Sequence, residues 1–210
     1  GNAGVGKPYC SRLRAFWHQG GFFMRKNTEK LAFSGVCIAL SMVLGMVKLF
    51  SLPMGGSVTA CSMLFATLPG FFFGTGYGLL SGFAYGITSF ILKPEFYSPM
   101  QFVVDYLFAF TALGISGFFS HKKHGLYLGY IAACLGRFFF AFLSGVLFFA
   151  AYAPEGMSPI WYSFSYNISY ISVEAVLTLA VLSVPAIHKS IYRLKGNFTE
   201  GNELNAVHSK

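Results

Sequence analysis

Three ionisable residues stand within long apolar stretches of the sequence: Asp105, Arg137 and Glu174. A charge in the hydrocarbon layer of a membrane costs on the order of 3 kcal/mol, so such a residue is expected to bind something or to have a partner. Arg137 and Glu174 fall midway along the last two apolar stretches, and we expect a structural ion pair because an unpaired arginine there would be costly. Asp105 lies five residues into the fourth apolar stretch and is the first candidate for a binding site.

Polar residues accompany Asp105. Gln101 lies one helical turn before it. The last apolar stretch carries three tyrosines and an amide at helical spacing: Tyr162, Tyr166, Tyr170 and Asn167. A carboxylate, aromatic ring faces and an amide together suit a cationic, aromatic ligand. The alternatives are that Asp105 reaches up to the membrane interface, and that Tyr166 and Tyr170 only pack or form an interfacial belt.

The elements that must position these residues are membrane helices. Charged residues make up 10% of the 210 residues and hydrophobic ones 55%, whereas a soluble domain carries roughly 25% charged residues. A membrane-spanning helix needs about 20 apolar residues. The sequence therefore predicts an all-α integral membrane protein with six spans: Leu31–Phe50, Ser57–Phe73, Gly76–Leu92, Met100–Phe119, Leu126–Ala151 and Trp161–Ile187. We expect the glycines of Gly74–Gly78 to allow a tight turn and close helix packing.

The basic residues predict the orientation of these spans. With six spans, both tails and two of the loops share one side, and twelve of the Lys and Arg residues lie there. Only Lys48 and Lys93 lie on the opposite side. Positive loops stay in the cytoplasm, so both termini are expected to be cytoplasmic and Asp105 to lie near the outer face. The expected division is a basic segment over residues 1–27, a membrane domain over 28–193 and a polar tail over 194–210.

Several classes of function are not expected. The net charge of +8 is explained by membrane orientation, so we expect no nucleic acid partner. The sequence contains no phosphate-binding GxxxxGK[ST] loop, no HExxH and no GxSxG. All five histidines fall in tails or in the predicted cytoplasmic loop, and Asp105 is the only aspartate. We therefore predict neither an enzyme nor a metal site, and no cofactor.

A family resemblance rests on the string Tyr152–Met157, followed by Tyr162-Ser163 and by Tyr166–Tyr170. Supporting stretches are Pro53–Thr59, Gln101 with Val104–Tyr106, Arg137-Phe138 and Ser144-Gly145. With these motifs, the chain resembles the thiamine-specific S component of the energy-coupling factor (ECF) vitamin transporters. The resemblance runs from about Thr28 to Arg193.

The resemblance implies a six-helix S-component bundle with a substrate pocket near the outer surface. The family's acid and tyrosine on span four fall on Asp105 and Tyr106, and its tyrosine and asparagine on span six fall on Tyr162 and Asn167. Aromatic positions with looser alignment are Phe96, Tyr97 and Phe149. The family often carries a histidine on span five, where this sequence has Ala141.

The resemblance also implies a function. The chain would capture thiamine or a close analogue outside a bacterial plasma membrane. It would deliver the vitamin through an ATP-driven complex with a membrane scaffold and two ATPase subunits, which is consistent with its lack of a nucleotide motif. Small residues on span one, Ala32, Gly35 and Ala39, would dock the scaffold. The alternative is a self-sufficient secondary transporter for another small cationic or aromatic solute.

Overall fold

A computed structural model describes residues 7–52, 56–92, 98–149 and 156–207, with side chains described over 27–52, 56–92, 98–149 and 156–198. Seven helices and a two-stranded hairpin make up this part of the chain. Their bounds are α1 (Lys7–Met46), β1 (Lys48–Ser51), β2 (Ser57–Thr59), α2 (Ser62–Phe73), α3 (Thr75–Leu92), α4 (Pro99–Phe119), α5 (Gly125–Phe148), α6 (Pro159–Leu182) and α7 (Pro185–Val207).

Helices α1 to α6 correspond in order to the six predicted spans. Four regions are long and apolar enough to cross a membrane: Asn27–Met46 of α1, and the whole of α4, α5 and α6. Helix α2 is apolar but shorter, with 12 residues. Large apolar side chains remain exposed along the bundle, for example Val43 on α1 and Leu135 on α5. Such an apolar exterior is what a lipid environment requires.

The boundaries of the first two spans differ from the prediction. The first span was expected to continue to Phe50, but α1 ends at Met46 and Lys48–Ser51 forms β1 instead. This strand pairs antiparallel with Ser57–Thr59, which was expected to begin the second span. The short hairpin carries too few residues to leave a periodic signal of its own.

Helices α3 and α4 approach each other closely along a line of glycines. A side-chain carbon at Gly78, Gly82 or Gly86 would collide with backbone atoms of α4, and the facing Gly114 is equally crowded. Glycines spaced four residues apart lie on one helix face, so the two backbones can meet there. This confirms the expected close packing for Gly78.

Helix α4 is irregular along its length. It begins as a short α-helical turn, becomes a π-helix over Val103–Phe108 and continues, after another α-helical turn, as a 3-10 helix over Ala112–Phe119. A π-helical turn is rare and is frequently found at functional sites. Asp105 and Tyr106 lie inside it.

The end of the sixth span was also predicted differently. The span was expected to run to Ile187, but α6 ends at Leu182 and a new helix starts at Pro185. Proline lacks the N–H that would continue the helix, so it ends one helix and begins another. The new helix α7 extends into the predicted polar tail, where Phe198 packs edge-to-face against Phe33 and Phe73 of the bundle.

Candidate binding site

One cavity of about 200 Å³ opens between the hairpin, the start of α2 and helices α1, α3, α4, α5 and α6. The hairpin follows α1, so the cavity lies on the side of the bundle that the sequence predicts to be the outer one. Its polar lining includes the carboxylates of Asp105 and Glu174 and the guanidinium of Arg137. It also includes the hydroxyl groups of Tyr106, Tyr162 and Tyr170.

Asp105 faces this cavity from the π-helical part of α4. The side-chain amide of Gln101 donates a hydrogen bond to Oδ2 of Asp105 at 3.2 Å. This confirms that the two side chains share a face one turn apart. Gln101 is only 1% exposed, so its amide holds the carboxylate of Asp105 from the protein side.

Aromatic rings hold the neighbouring Tyr106. Its ring lies 5.2 Å from Phe90 in an edge-to-face contact and stacks on Phe102 at 6.0 Å. A Cβ at Gly86 would collide with the carbonyl of Tyr106, so the glycine line of α3 fixes this residue's backbone. Tyr106 lines the cavity, and these contacts hold its side chain and backbone in place.

The three tyrosines of α6 form a ladder beside the cavity. Tyr162 stacks on Tyr166 at 6.0 Å, and Tyr166 meets Tyr170 edge-to-face at 5.8 Å. All three line the cavity. The sequence left open whether Tyr166 and Tyr170 only pack or belong to an interfacial belt, and the structure places them at the cavity wall.

Asn167 is 5% exposed and its amide is engaged within the bundle. Its nitrogen donates to the carbonyl oxygens of Ser163 at 2.9 Å and Ala141 at 3.3 Å. Its oxygen accepts a hydrogen bond from the hydroxyl of Tyr170 at 2.9 Å. The amide thus ties α6 to α5 and fixes a cavity tyrosine.

Ala141 itself lines the cavity and is buried. The position at which the resembling family often has a histidine therefore faces the site. With a methyl group there, the wall offers no side-chain hydrogen bond at this point. Phe149, the aromatic residue expected late in span five, also lines the cavity.

The ion pair expected between Arg137 and Glu174 stays a prediction, and both side chains also have other partners in the described part of the chain. The guanidinium of Arg137 lies over the ring of Phe110, 4.7 Å from its centroid, and interacts electrostatically with Glu174. The carboxylate of Glu174 accepts hydrogen bonds from Thr59, Ser62 and Met63. The charged side chains of Arg137 and Glu174 both line the cavity. Their surroundings are therefore polar, although both residues stand within apolar stretches of the sequence.

Two contacts at the hairpin were missed by sequence reasoning. The hydroxyl of Tyr166 accepts a hydrogen bond from the backbone N–H of Gly56 at 2.8 Å. The Glu174 contacts reach the same region from the same helix. These pairs are separated by 110 residues or more along the chain, and no local pattern reveals them.

Some predicted residues lie elsewhere. Phe96 and Tyr97 fall outside the described residues. The cavity lining does not include Ala32, Gly35 or Ala39. They lie on an exposed face of α1, and nothing lies within 4 Å of a Cβ placed at Gly35. In the described part of the chain, no group of three or more His, Cys, Asp or Glu residues is arranged to hold a metal ion.

The bundle and its cavity define a multi-pass membrane protein with a site for a small molecule. The family model described as "Thiamine transporter protein (Thia_YuaJ)" matches residues 31–193, and the chain belongs to this family. It is therefore a multi-pass protein of the bacterial plasma membrane and not an enzyme.

Two curated relatives and one solved structure agree. The chain is 33% identical to the thiamine transporter ThiT of Bacillus subtilis, over 75% of this chain and 90% of the relative. It is 31% identical to ThiT of Lacticaseibacillus paracasei, over 50% of this chain and 60% of the relative. A structure of ThiT from Listeria monocytogenes superposes with a TM-score of 0.62 at 20% identity, over 85% of this chain and 98% of that one, and supports the fold.

Proposed function

We propose that this protein captures thiamine in the cavity and passes it to an ATP-driven ECF transporter complex. The observation that carries the proposal is the cavity itself, which the carboxylate of Asp105 lines together with tyrosine rings from three helices. Thiamine carries a fixed positive charge on an aromatic ring and an aminopyrimidine. A carboxylate stabilises the charge, and ring faces stabilise both ring systems.

The roles of the site residues follow from their contacts. Asp105 would balance the thiazolium charge, while Tyr106 and Tyr162 would contact the rings. Asn167 would act chiefly by holding Tyr170 in place, because its amide already has protein partners. Phe149 would close an apolar part of the wall.

Arg137 would favour one orientation of the ligand. Its guanidinium and the carboxylate of Asp105 both line the cavity. A cationic ring is attracted to Asp105 and repelled by Arg137, so the thiazolium would lie on the Asp105 side. The neutral aminopyrimidine would then lie nearer Arg137.

The delivery step needs partners, because the sequence contains no nucleotide-binding motif. The exposed face of α1 around Ala32, Gly35 and Ala39 supports docking of a membrane scaffold, since small residues allow another helix to approach closely. Two ATPase subunits bound to that scaffold would supply the energy.

An uptake experiment tests this delivery. The chain is expressed in a bacterium that requires thiamine and lacks its own transporter, with and without an ECF scaffold and its ATPases. Uptake of labelled thiamine only when the partners are present, and copurification of the partners with the chain, supports the proposal. Uptake by the chain alone would point to a self-sufficient carrier instead.

A further inference from the structure

The buried carboxylate of Glu174 lies where the hairpin joins α2. Its Oε2 accepts a hydrogen bond from the N–H of Thr59 at 3.2 Å. Its Oε1 accepts from the hydroxyl of Ser62 at 3.1 Å and from the N–H of Met63 at 3.2 Å. The side chain is 2% exposed. A single residue of α6 therefore contacts both the end of β2 and the first turn of α2.

The first turn of α2 has a specific need for this acceptor. The first N–H groups of a helix have no partner inside the helix, and a Ser, Thr, Asp or Asn just before the helix usually accepts from them. Here Cys61 occupies that place, and its side chain makes no capping hydrogen bond. Its backbone is left-handed with φ 61°. Glu174 replaces the missing cap from another helix, and its negative charge also suits a helix N-terminus.

A second contact ties the hairpin to the same helix. The N–H of Gly56 donates to the hydroxyl oxygen of Tyr166 at 2.8 Å, and a Cβ at Gly56 would lie only 2.6 Å from that oxygen. Tyr166 and Glu174 both line the cavity. The hairpin and the start of α2 are therefore held against the helix that supplies much of the cavity wall.

We propose that Glu174 is a positioning residue that keeps the hairpin and the start of α2 closed against α6. In doing so it sets how fast a bound molecule leaves the cavity. The second statement rests on the proposed function, because it requires a ligand. The first does not, since it concerns only the protein.

Labelling of Cys61 tests the first statement directly. Cys61 is half-buried at the junction, whereas Cys37 and Cys134 are buried within the bundle. In a Cys10→Ser background without ligand, Glu174→Gln is treated with a membrane-impermeant maleimide, and each cysteine is followed by mass spectrometry. Glutamine has nearly the same size as glutamate, but its NH₂ group is a donor and cannot accept hydrogen bonds from Thr59, Ser62 or Met63. Because charged hydrogen bonds are lost, labelling of Cys61 should rise about tenfold, with Cys37 and Cys134 unchanged.

A matched control is Thr178→Val. Thr178 lies one turn further along α6 and is fully buried, and none of the hydrogen bonds to the junction involves it. This variant should label like the parent protein. Ser62→Ala, which removes one of the three donors, should raise Cys61 labelling by a smaller factor and provides a milder variant if Glu174→Gln folds poorly.

The second statement is tested by the rate at which thiamine dissociates. Glu174→Gln should release thiamine roughly tenfold faster, and Ser62→Ala, which keeps the charge of Glu174, should release it faster by a smaller factor. The proposal is overturned if Cys61 labelling changes less than twofold in both variants, or if all three cysteines become reactive together. If the parent protein binds no thiamine at all, the proposed function fails, while the labelling result still decides the role of Glu174.

Discussion

Removal of the charge on Asp105 should weaken thiamine binding more than any other conservative change in the cavity. In Asp105→Asn the side chain keeps its shape and can still contact Gln101, so the packing of α4 is preserved. Two unit charges about 4 Å apart in partly buried surroundings attract with roughly 4 kcal/mol. Because Asp105 is only half-buried, we expect a loss of about 2–4 kcal/mol.

This energy corresponds to a roughly 30- to 700-fold weaker Kd. Isothermal titration calorimetry on the detergent-purified protein measures it, with Asp105→Glu as the control that keeps the charge. A neutral thiamine analogue with a thiophene in place of the thiazolium separates charge from shape, since its affinity should hardly change in Asp105→Asn. If thiamine binds the Asn variant within threefold of the parent, Asp105 does not contact the cation and the reasoning is wrong.

Three further predictions concern other parts of the molecule. Ala141→His should tighten thiamine binding by up to about tenfold in the same titration, because it adds one neutral hydrogen bond to the cavity wall. Gly35→Leu together with Ala39→Leu should abolish ECF-dependent uptake while leaving Kd unchanged, because bulky residues block close helix approach. Gly82→Ala should lower the free energy of unfolding by about 1–3 kcal/mol in a thermal melt, whereas Gly76→Ala, which meets nothing within 4 Å, should not.

Each of these has a contradicting outcome. A tenfold weaker affinity in Ala141→His would show that the cavity has no room for the ring. Loss of thiamine binding in the double leucine variant would mean that this face of α1 packs inside the protein. Equal melting temperatures for the two alanine variants of α3 would mean that the glycine line does not set the α3–α4 distance.

The helices of the bundle could be predicted from the sequence because each helix that crosses a membrane needs about 20 apolar residues. The cores of all six predicted spans are helical. The hairpin, by contrast, is too short to show alternation, and Lys48–Phe50 was counted with span one. The break before Pro185 was missed because the residues on both sides of it are apolar.

The site was partly predictable, because a polar or charged residue within a membrane span is costly and usually has a partner or a function. Asp105 and the tyrosines of α6 stood out by type and spacing, and they line one cavity. Depth along two helices predicted Arg137 as a partner of Glu174, but it could not show that the backbone at Thr59 and Met63 also reaches this carboxylate. The π-helical turn around Asp105 was equally hidden, since no pattern of residue types distinguishes it from an α-helical turn.

The most direct test of the central claim is a binding titration of the purified protein with thiamine, riboflavin and biotin in one series. We predict saturable binding of thiamine at one site per chain, and no measurable binding of the other two at the same concentrations. A preference for riboflavin or biotin, or an affinity for thiamine no different from that of Asp105→Asn, would contradict the assignment of this cavity to thiamine.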